Sequence, residues 1–373
     1  MKAWPILGIS IVQVILLLAH WFLFFTWIHF WNSPTLSEVA AMRIALLVLA
    51  LSFVCASMLS FKFHNSLVAF LYKLASIWLG FLNYFFWGAC LCWLAWFGML
   101  AAGLNANPAI ARQVIAYVLF TAALVTATYG LLNAHFIRTR RIALALPGLP
   151  DNWRNRKAVM LSDLHLGNVN RAGFARRVQA MVSALNPDIV FIPGDLFDGT
   201  RADLDQLVAP LKELTPQFGT WFSTGNHEEF RDTGQYLAAV ARAGMRILNN
   251  EVVTVDGLQI AGVTFGDSTS PIRLKQLLDG MQLQPAQASV LLNHMPSRLP
   301  IVERAGISLQ LSGHTHGGQF APFNWITRRI FGRFTHGLHS FGSLQVYTST
   351  GAGTWGPPMR VGTQPEIVLI EFI

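Results

Sequence analysis

Read in chain order, the C-terminal half of the sequence carries Asp163-Leu164-His165, Gly194-Asp195, Gly225-Asn226-His227-Glu228, His294 and Gly313-His314-Thr315-His316. Two carboxylates, one side-chain amide and four imidazoles from these motifs make a donor set for two divalent ions. On a strand, residues i and i+2 point the same way. Asp163 with His165 is therefore expected to aim at one ion, and His314 with His316 to reach the same cluster. Asp195, between the two groups of motifs, is the natural bridging carboxylate, and Asn226 brings a neutral oxygen. Two carboxylates against two divalent ions leave the cluster positive, which attracts a phosphate and lowers the pKa of bound water toward neutrality. Ions about 3.5–4 Å apart clamp the attacking and leaving oxygens of an in-line displacement. The implied chemistry is hydrolysis of a phosphate ester. Taken singly, each motif is weak, because Asp-x-His and Gly-Asp are commonplace; the order and number of them together are not.

The elements that must position these residues are short apolar runs. Strands are expected at Ala158–Leu161, Ile189–Ile192, Thr220–Ser223, Ser289–Leu292 and Ser308–Leu311, with a helix over Arg171–Leu185. Val252–Val255 and Leu258–Ala261 flank Asp256-Gly257 as a hairpin, and Val346–Ser349 and Ile367–Phe372 close the chain as strands. Each candidate ligand follows the C-terminal end of an expected strand, where open α/β folds place their sites. Glycine beside Asp195, Asn226 and His314 permits close backbone approach.

The rest of the chain is different in kind. Of the 373 residues, 12% are charged, against about 25% in an average globular protein. The deficit is local: residues 1–134 hold only six charged side chains, against 27 basic and 19 acidic in the chain. A membrane-crossing helix needs about 20 apolar residues. Pro5–Trp31, Ile44–Phe61, Leu74–Leu104 and Ile110–Leu132 qualify as about four transmembrane helices. The third, at 31 residues without charge, would run about 46 Å and must tilt, break or project. Eight of the twelve tryptophans lie in this region, Trp27 and Trp31 near an expected helix end, as an aromatic belt places them. Arg138, Arg140, Arg141, Arg154, Arg156 and Lys157 follow the fourth span, and Lys62 lies between the second and third. This bias puts the C-terminal domain in the cytoplasm, on an integral, multi-pass inner or plasma membrane protein. All three cysteines fall in the apolar region, which excludes a disulfide framework. The net charge of +8 suits a membrane surface or a phosphate substrate. No nucleic acid is expected, since no such module appears. Residues 1–134 thus read as the transmembrane region, 135–156 as a linker with Pro147, Gly148 and Pro150 as breakers, and 157–373 as a catalytic domain.

The motifs resemble those of the calcineurin-like metallophosphoesterase superfamily, over about residues 157–373. Ser-Asp-Leu-His-Leu-Gly at 162–167, Gly-Asp-Leu-Phe-Asp-Gly at 194–199 and Ser-Gly-His-Thr-His-Gly-Gly-Gln at 312–319 are similar to its membrane-attached branch, which includes UDP-2,3-diacylglucosamine pyrophosphatases. The resemblance implies a four-layer α/β/β/α sandwich around two ions, of manganese, iron or zinc. Asp163, His165 and His316 would hold one ion, Asn226, His294 and His314 the other, and Asp195 would bridge. His227 would stand near the leaving group, and Asp198 and Glu228 would orient ligands or His227. The expected activity is cleavage of a phosphodiester or pyrophosphate bond by a metal-bound hydroxide, on a phosphate ester that is lipid-linked if the anchor is a guide, among membrane lipids. Arg360 is a candidate phosphate partner; His336 and His339 read as loop histidines.

A competing reading makes the chain a membrane sensor or transport component with a regulatory metal-binding domain. Polar residues in the spans are few, chiefly His20, His29, Lys73 and Asn83.

Overall fold

A computed structural model describes residues 3–31, 34–63, 65–104, 107–200, 202–230 and 232–373, with side chains in the first helix from Leu7 onward. The chain parts into two compact units, the first running to Leu132 and the second taking Asn133–Trp355 and Arg360–Ile373.

The first unit is helical. α1 (Ala3–Phe30), α2 (Leu36–Lys62), α3 (Ser66–Ala101) and α4 (Pro108–His135) are each long and apolar enough to cross a membrane. Their starts are specified locally. Thr35 and Glu38 form a capping box at α2, and the Asn65 side chain accepts the Val68 N–H at α3. Expected to tilt, break or project, α3 is a single unbroken helix of 36 residues, about 54 Å long. It begins eight residues before Leu74, so Lys73 lies inside it. Polar groups among these helices meet each other. His20 Nδ1 lies 2.7 Å from the Leu16 carbonyl, the Trp78 indole donates to His20 Nε2 at 2.9 Å, and the Trp93 indole donates to Thr26 Oγ1 at 3.0 Å.

The second unit holds two six-stranded sheets. β1 (Arg138–Leu144), β2 (Lys157–Met160), β3 (Ile189–Pro193), β4 (Thr220–Ser223), β5 (Arg246–Ile247) and β12 (Glu366–Phe372) form one, in the order β1-β12-β2-β3-β4-β5. The other contains β6 (Glu251–Val255), β7 (Leu258–Gly262), β8 (Ser289–Leu292), β9 (Leu309–Ser312), β10 (Gly337–Phe341) and β11 (Leu344–Thr348), ordered β10-β11-β9-β8-β7-β6. β2 to β5 run parallel, as do β7, β8, β9 and β11. Between the connections lie α5 (Ala172–Ser183), α6 (Leu204–Val208), α7 (Asn226–Glu229), α8 (Thr233–Arg242), α9 (Phe265–Thr269), α10 (Pro271–Gly280), α11 (Leu299–Arg304) and α12 (Phe323–Phe331).

Alternation along the strands builds three apolar layers. Ala158, Met160, Ile189 and Phe191 face Ile260, Val290, Leu292 and Leu309 between the sheets. Val159, Val190, Ile192 and Phe222 pack against Val178 and Val182 of α5 and Ala239 and Val240 of α8. Ala261, Leu291 and Val346 pack against Leu274 and Leu278 of α10 and Val302 of α11. The result is the expected α/β/β/α sandwich.

Residues 135–156, read as a linker, are not one throughout. Arg138–Leu144 pairs in parallel with β12 as the edge strand of its sheet. Its side chains are mostly exposed and four are charged or polar, so it supplies main-chain hydrogen bonds without an apolar pattern to betray it. β5 and β10 were missed for related reasons, being a two-residue strand and an edge strand with mixed exposure.

Candidate metal centre

The parallel strands β2, β3, β4, β8 and β9 each deliver a candidate ligand just past the C-terminal end. Asp163, His165, Asp195, His227, His294 and His316 are all buried. Their ligand atoms form three groups, each within 4.8 Å: Asp163 with His165 and His316; His165 with Asp195 and His227; Asp195 with His294 and His314. Asn226 joins through its side-chain oxygen, 2.9 Å from His314 Nδ1. Asp195 is the hub. Its Oδ2 lies 3.1 Å from His294 Nε2, 3.8 Å from His165 Nε2 and 4.0 Å from His227 Nε2.

Strand alternation is not what aims these side chains. Asp163 (φ 53°), His165 (φ 47°), Asp195 (φ 51°), His314 (φ 70°) and His316 (φ 50°) all adopt left-handed backbone beyond the strand ends. Such a conformation costs on the order of 1–3 kcal/mol per non-glycine residue and clusters at functional sites. The neighbouring glycines make room: a Cβ at Gly225 would strike the Asp195 carboxylate, and one at Gly313 would strike Asp163.

Surrounding groups fix each ligand. His294 Nδ1 lies 2.7 Å from the Pro193 carbonyl, which makes Nδ1 the donor and leaves Nε2 for the cluster. His227 Nδ1 is likewise 2.8 Å from the Asp198 carbonyl, and the His227 backbone N–H donates to Asp195 Oδ1 at 3.0 Å. Asp198 therefore orients His227 through its main chain; its carboxylate turns to the N–H and hydroxyl of Thr200. Glu228 accepts from the backbone N–H groups of Asp195, Phe197 and Gly225 at 3.0, 3.0 and 2.8 Å, so it clamps the loop carrying Asp195. The His314 N–H donates to Asp163 Oδ1 at 2.9 Å.

The charges strain against one another. Burial pushes the Asp163 carboxyl up to about 6 and Glu228 up to about 7, the neighbouring Asp195 charge adding to both. Burial also opposes ionisation of Asp195, but His294, His165 and His227 overcome it and hold that carboxyl well below the usual range. At His294 burial lowers the pKa, yet Asp195 and Asp163 outweigh it and raise it to about 10. Burial depresses His314 to about 4 and leaves His165 and His316 well below their ordinary value. Three imidazoles are thus held neutral, as ligands must be. His165 Nε2 and His316 Nε2 stand 3.0 Å apart. Mixed nitrogen and oxygen donors in this density fit divalent metal.

Arg360 corrects an expectation. It is wholly buried, and its guanidinium donates to the carbonyls of His316, Gly351 and Gly353 and meets His316 Nδ1 at 3.2 Å. It braces the His316 loop and offers nothing to a phosphate. His339 Nε2 lies 3.1 Å from the His336 carbonyl, and neither histidine joins the three groups. The sequence reading passed over the aromatic rim. Phe230 and Trp355, both largely exposed, lie 4.7 and 6.1 Å from the His227 ring, and Phe265 and Phe331 lie 5.7 and 6.2 Å from the His314 ring. Gln319, next to the last glycine of its motif, ties Trp355 in place through both backbone groups.

A family model described as calcineurin-like phosphoesterase matches residues 157–318. An uncharacterized metallophosphoesterase of Aquifex aeolicus is 31% identical over 256 residues, covering 67% of this chain and 97% of its own length. An uncharacterized metallophosphoesterase of Campylobacter jejuni is 34% identical over 230 residues, 60% of this chain and 61% of its own. The transmembrane protein with metallophosphoesterase domain of Danio rerio is 31% identical over 295 residues, 73% of this chain. This chain spans 66% of that relative's length.

Proposed function

The chain belongs to the calcineurin-like phosphoesterase family, and on that premise we propose that it is a membrane-anchored, two-metal hydrolase of a phosphodiester or pyrophosphate bond. The observation that carries this reading is the convergence of Asp163, His165, Asp195, Asn226, His294, His314 and His316, from five separate loops, into abutting groups that share Asp195 and His165.

In this reading Asp163, His165 and His316 would hold one ion and Asn226, His294 and His314 the other, with Asp195 available to both. Bound manganese, iron or zinc would lower the pKa of a water and neutralise phosphoryl charge. The protein's own part is positional and protonic. His227, its Nδ1–H tied to the Asp198 carbonyl, keeps Nε2 facing the cluster to serve the leaving group as acid or charge stabiliser. Glu228 holds the Asp195 loop so that the bridging carboxylate is in place before substrate arrives. Phe230 and Trp355 give the mouth an apolar wall beside His227.

The four apolar helices and that wall favour a lipid-linked phosphate. The basic residues after α4 favour a multi-pass protein whose α/β unit faces the cytoplasm. The activity test is hydrolysis of bis(p-nitrophenyl) phosphate beside p-nitrophenyl phosphate by the full chain with added manganese. Diester turnover that disappears in Asp195→Ala and His227→Ala supports the reading; no turnover of either ester with manganese bound refutes it. Orientation is tested by an impermeant thiol reagent on intact cells: a cysteine placed at Ile373 stays unlabelled if the α/β unit is cytoplasmic.

A further inference from the structure

α12 presents to solvent an arc that the α/β unit does not use. Asn324, Thr327 and Phe331 turn inward and are half-buried, while Phe323, Trp325, Ile326 and Ile330 are exposed, Trp325 and Ile330 each by 67%. Phe323, Ile326 and Ile330 follow the i, i+3, i+7 spacing of one helical stripe. Trp325 lies beyond them around the helix, with the exposed Arg329 between and Arg328 on its other flank. Other exposed large apolar side chains of this unit include Ile272 on α10, and Phe230 and Trp355, which flank the His227 ring. The chain also holds no Asp or Glu between Glu303 and Glu366, so no acid in that stretch offsets these arginines.

The helix is built into the loop that carries two candidate ligands. A Cβ at Gly318 would strike the backbone of Asn324. Thr315 Oγ1 donates to the Thr335 carbonyl at 2.6 Å, and Thr335 Oγ1 donates to the carbonyls of Gly332 and Thr327 at 2.7 and 3.3 Å. The Phe331 ring lies 6.2 Å from that of His314. Whatever holds α12 holds the His314–His316 loop.

We propose that α12 docks on the surface of an anionic bilayer, with Phe323, Ile326, Ile330 and Trp325 entering the head-group boundary and Arg328 and Arg329 pairing with anionic head groups. Exposed apolar side chains beside arginines on a short helix are what such a boundary binds. The same chain carries four membrane-length helices, so a bilayer is the surface α12 meets at high effective concentration. Docking then holds the rim of the metal centre at the level where a lipid's phosphate lies.

The test uses the full chain, with Cys55, Cys90 and Cys92 replaced by serine, in nanodiscs of phosphatidylcholine with or without phosphatidylglycerol. A spin label is placed at Ile330→Cys or, as the aqueous control, at Lys275→Cys on α10. In anionic nanodiscs the label at 330 should become more accessible to oxygen than to a water-soluble nickel complex, and the label at 275 should not. Arg328→Glu with Arg329→Glu should return the label at 330 to water. A label at 330 that stays aqueous in both lipids overturns the proposal. Equal insertion with and without phosphatidylglycerol overturns the part given to the arginines. Dipolar broadening between labels at 330 would make a second copy the occupant and overturn it too. The readout is depth and not turnover, so it fails or stands independently of the phosphoesterase reading.

Discussion

His20 in the helical unit and His294 in the α/β unit are both buried, but their rings end on different partners. Both ring nitrogens of His20 are engaged, one by the Leu16 carbonyl and one by the Trp78 indole. His294 gives Nδ1 to the Pro193 carbonyl and turns Nε2 on a carboxylate amid three further histidines. In the helical unit His20 and Thr26 find their partners among the helices, as polar groups do where no water can satisfy them. The α/β unit gathers charge and lone pairs that its own atoms do not balance. Burial of that kind is costly unless an outside group completes it. The difference says where an ion belongs.

The sharpest way to break this comparison is substitution on both sides of it. Asp195→Ala or His294→Ala should cut diester turnover on the order of 10³-fold or more, the loss of about 4 kcal/mol of transition-state stabilisation. His20→Phe, in the helical unit and outside the ligand groups, should leave turnover within about twofold. An equal loss in both would erase the distinction.

Metal removal comes next. Chelation should lower the unfolding temperature of the α/β unit while the helical signal by circular dichroism persists, because an ion at 1,000 times its dissociation constant contributes about 4 kcal/mol. Parallel loss of both signals would mean that the helical unit depends on the ions as well.

Glu228→Gln keeps the size of the clamp but leaves one carbonyl oxygen for three N–H groups. A loss of roughly 10–100-fold in metal affinity or turnover is expected from disturbing such a support, and unchanged kinetics would show that the backbone alone holds Asp195.

The smallest effect is protonic. In the metal-free protein the pKa of His294 is raised to about 10, so near pH 7.5 this imidazole carries a proton that a metal ion must expel. Affinity should therefore rise with pH by about tenfold per unit for each proton released. Titration calorimetry in buffers of different ionisation enthalpy should count at least one proton. No release at pH 7.5 would mean that His294 is already neutral.

Much of the centre was legible in the chain. The seven donors, their order and their place after apolar runs follow from residue type and short-range pattern. Thr220–Ser223 and Ser289–Leu292 fall where the sequence reading puts them. Legibility failed where a residue's partner is remote. Arg360 reads as a phosphate ligand until its neighbours, the carbonyls of His316, Gly351 and Gly353, are seen. Asp198 reads as a residue that orients ligands or His227, but that it meets His227 by its main-chain carbonyl is seen only in the structure. Arg138–Leu144 reads as linker because an edge strand bonds through its main chain, and that leaves no mark on side-chain pattern.

By itself the sequence determined the division into apolar helices and a unit of alternating strands and helices, and the chemical identity of the donors. Both rest on hydrophobic spacing and residue chemistry, which are local. Tertiary structure alone decided the left-handed turns that aim Asp163, His165, Asp195, His314 and His316, the carbonyls that set each imidazole, and the exposed arc of α12. These depend on which distant segments meet, and packing settles that only once the whole chain has folded.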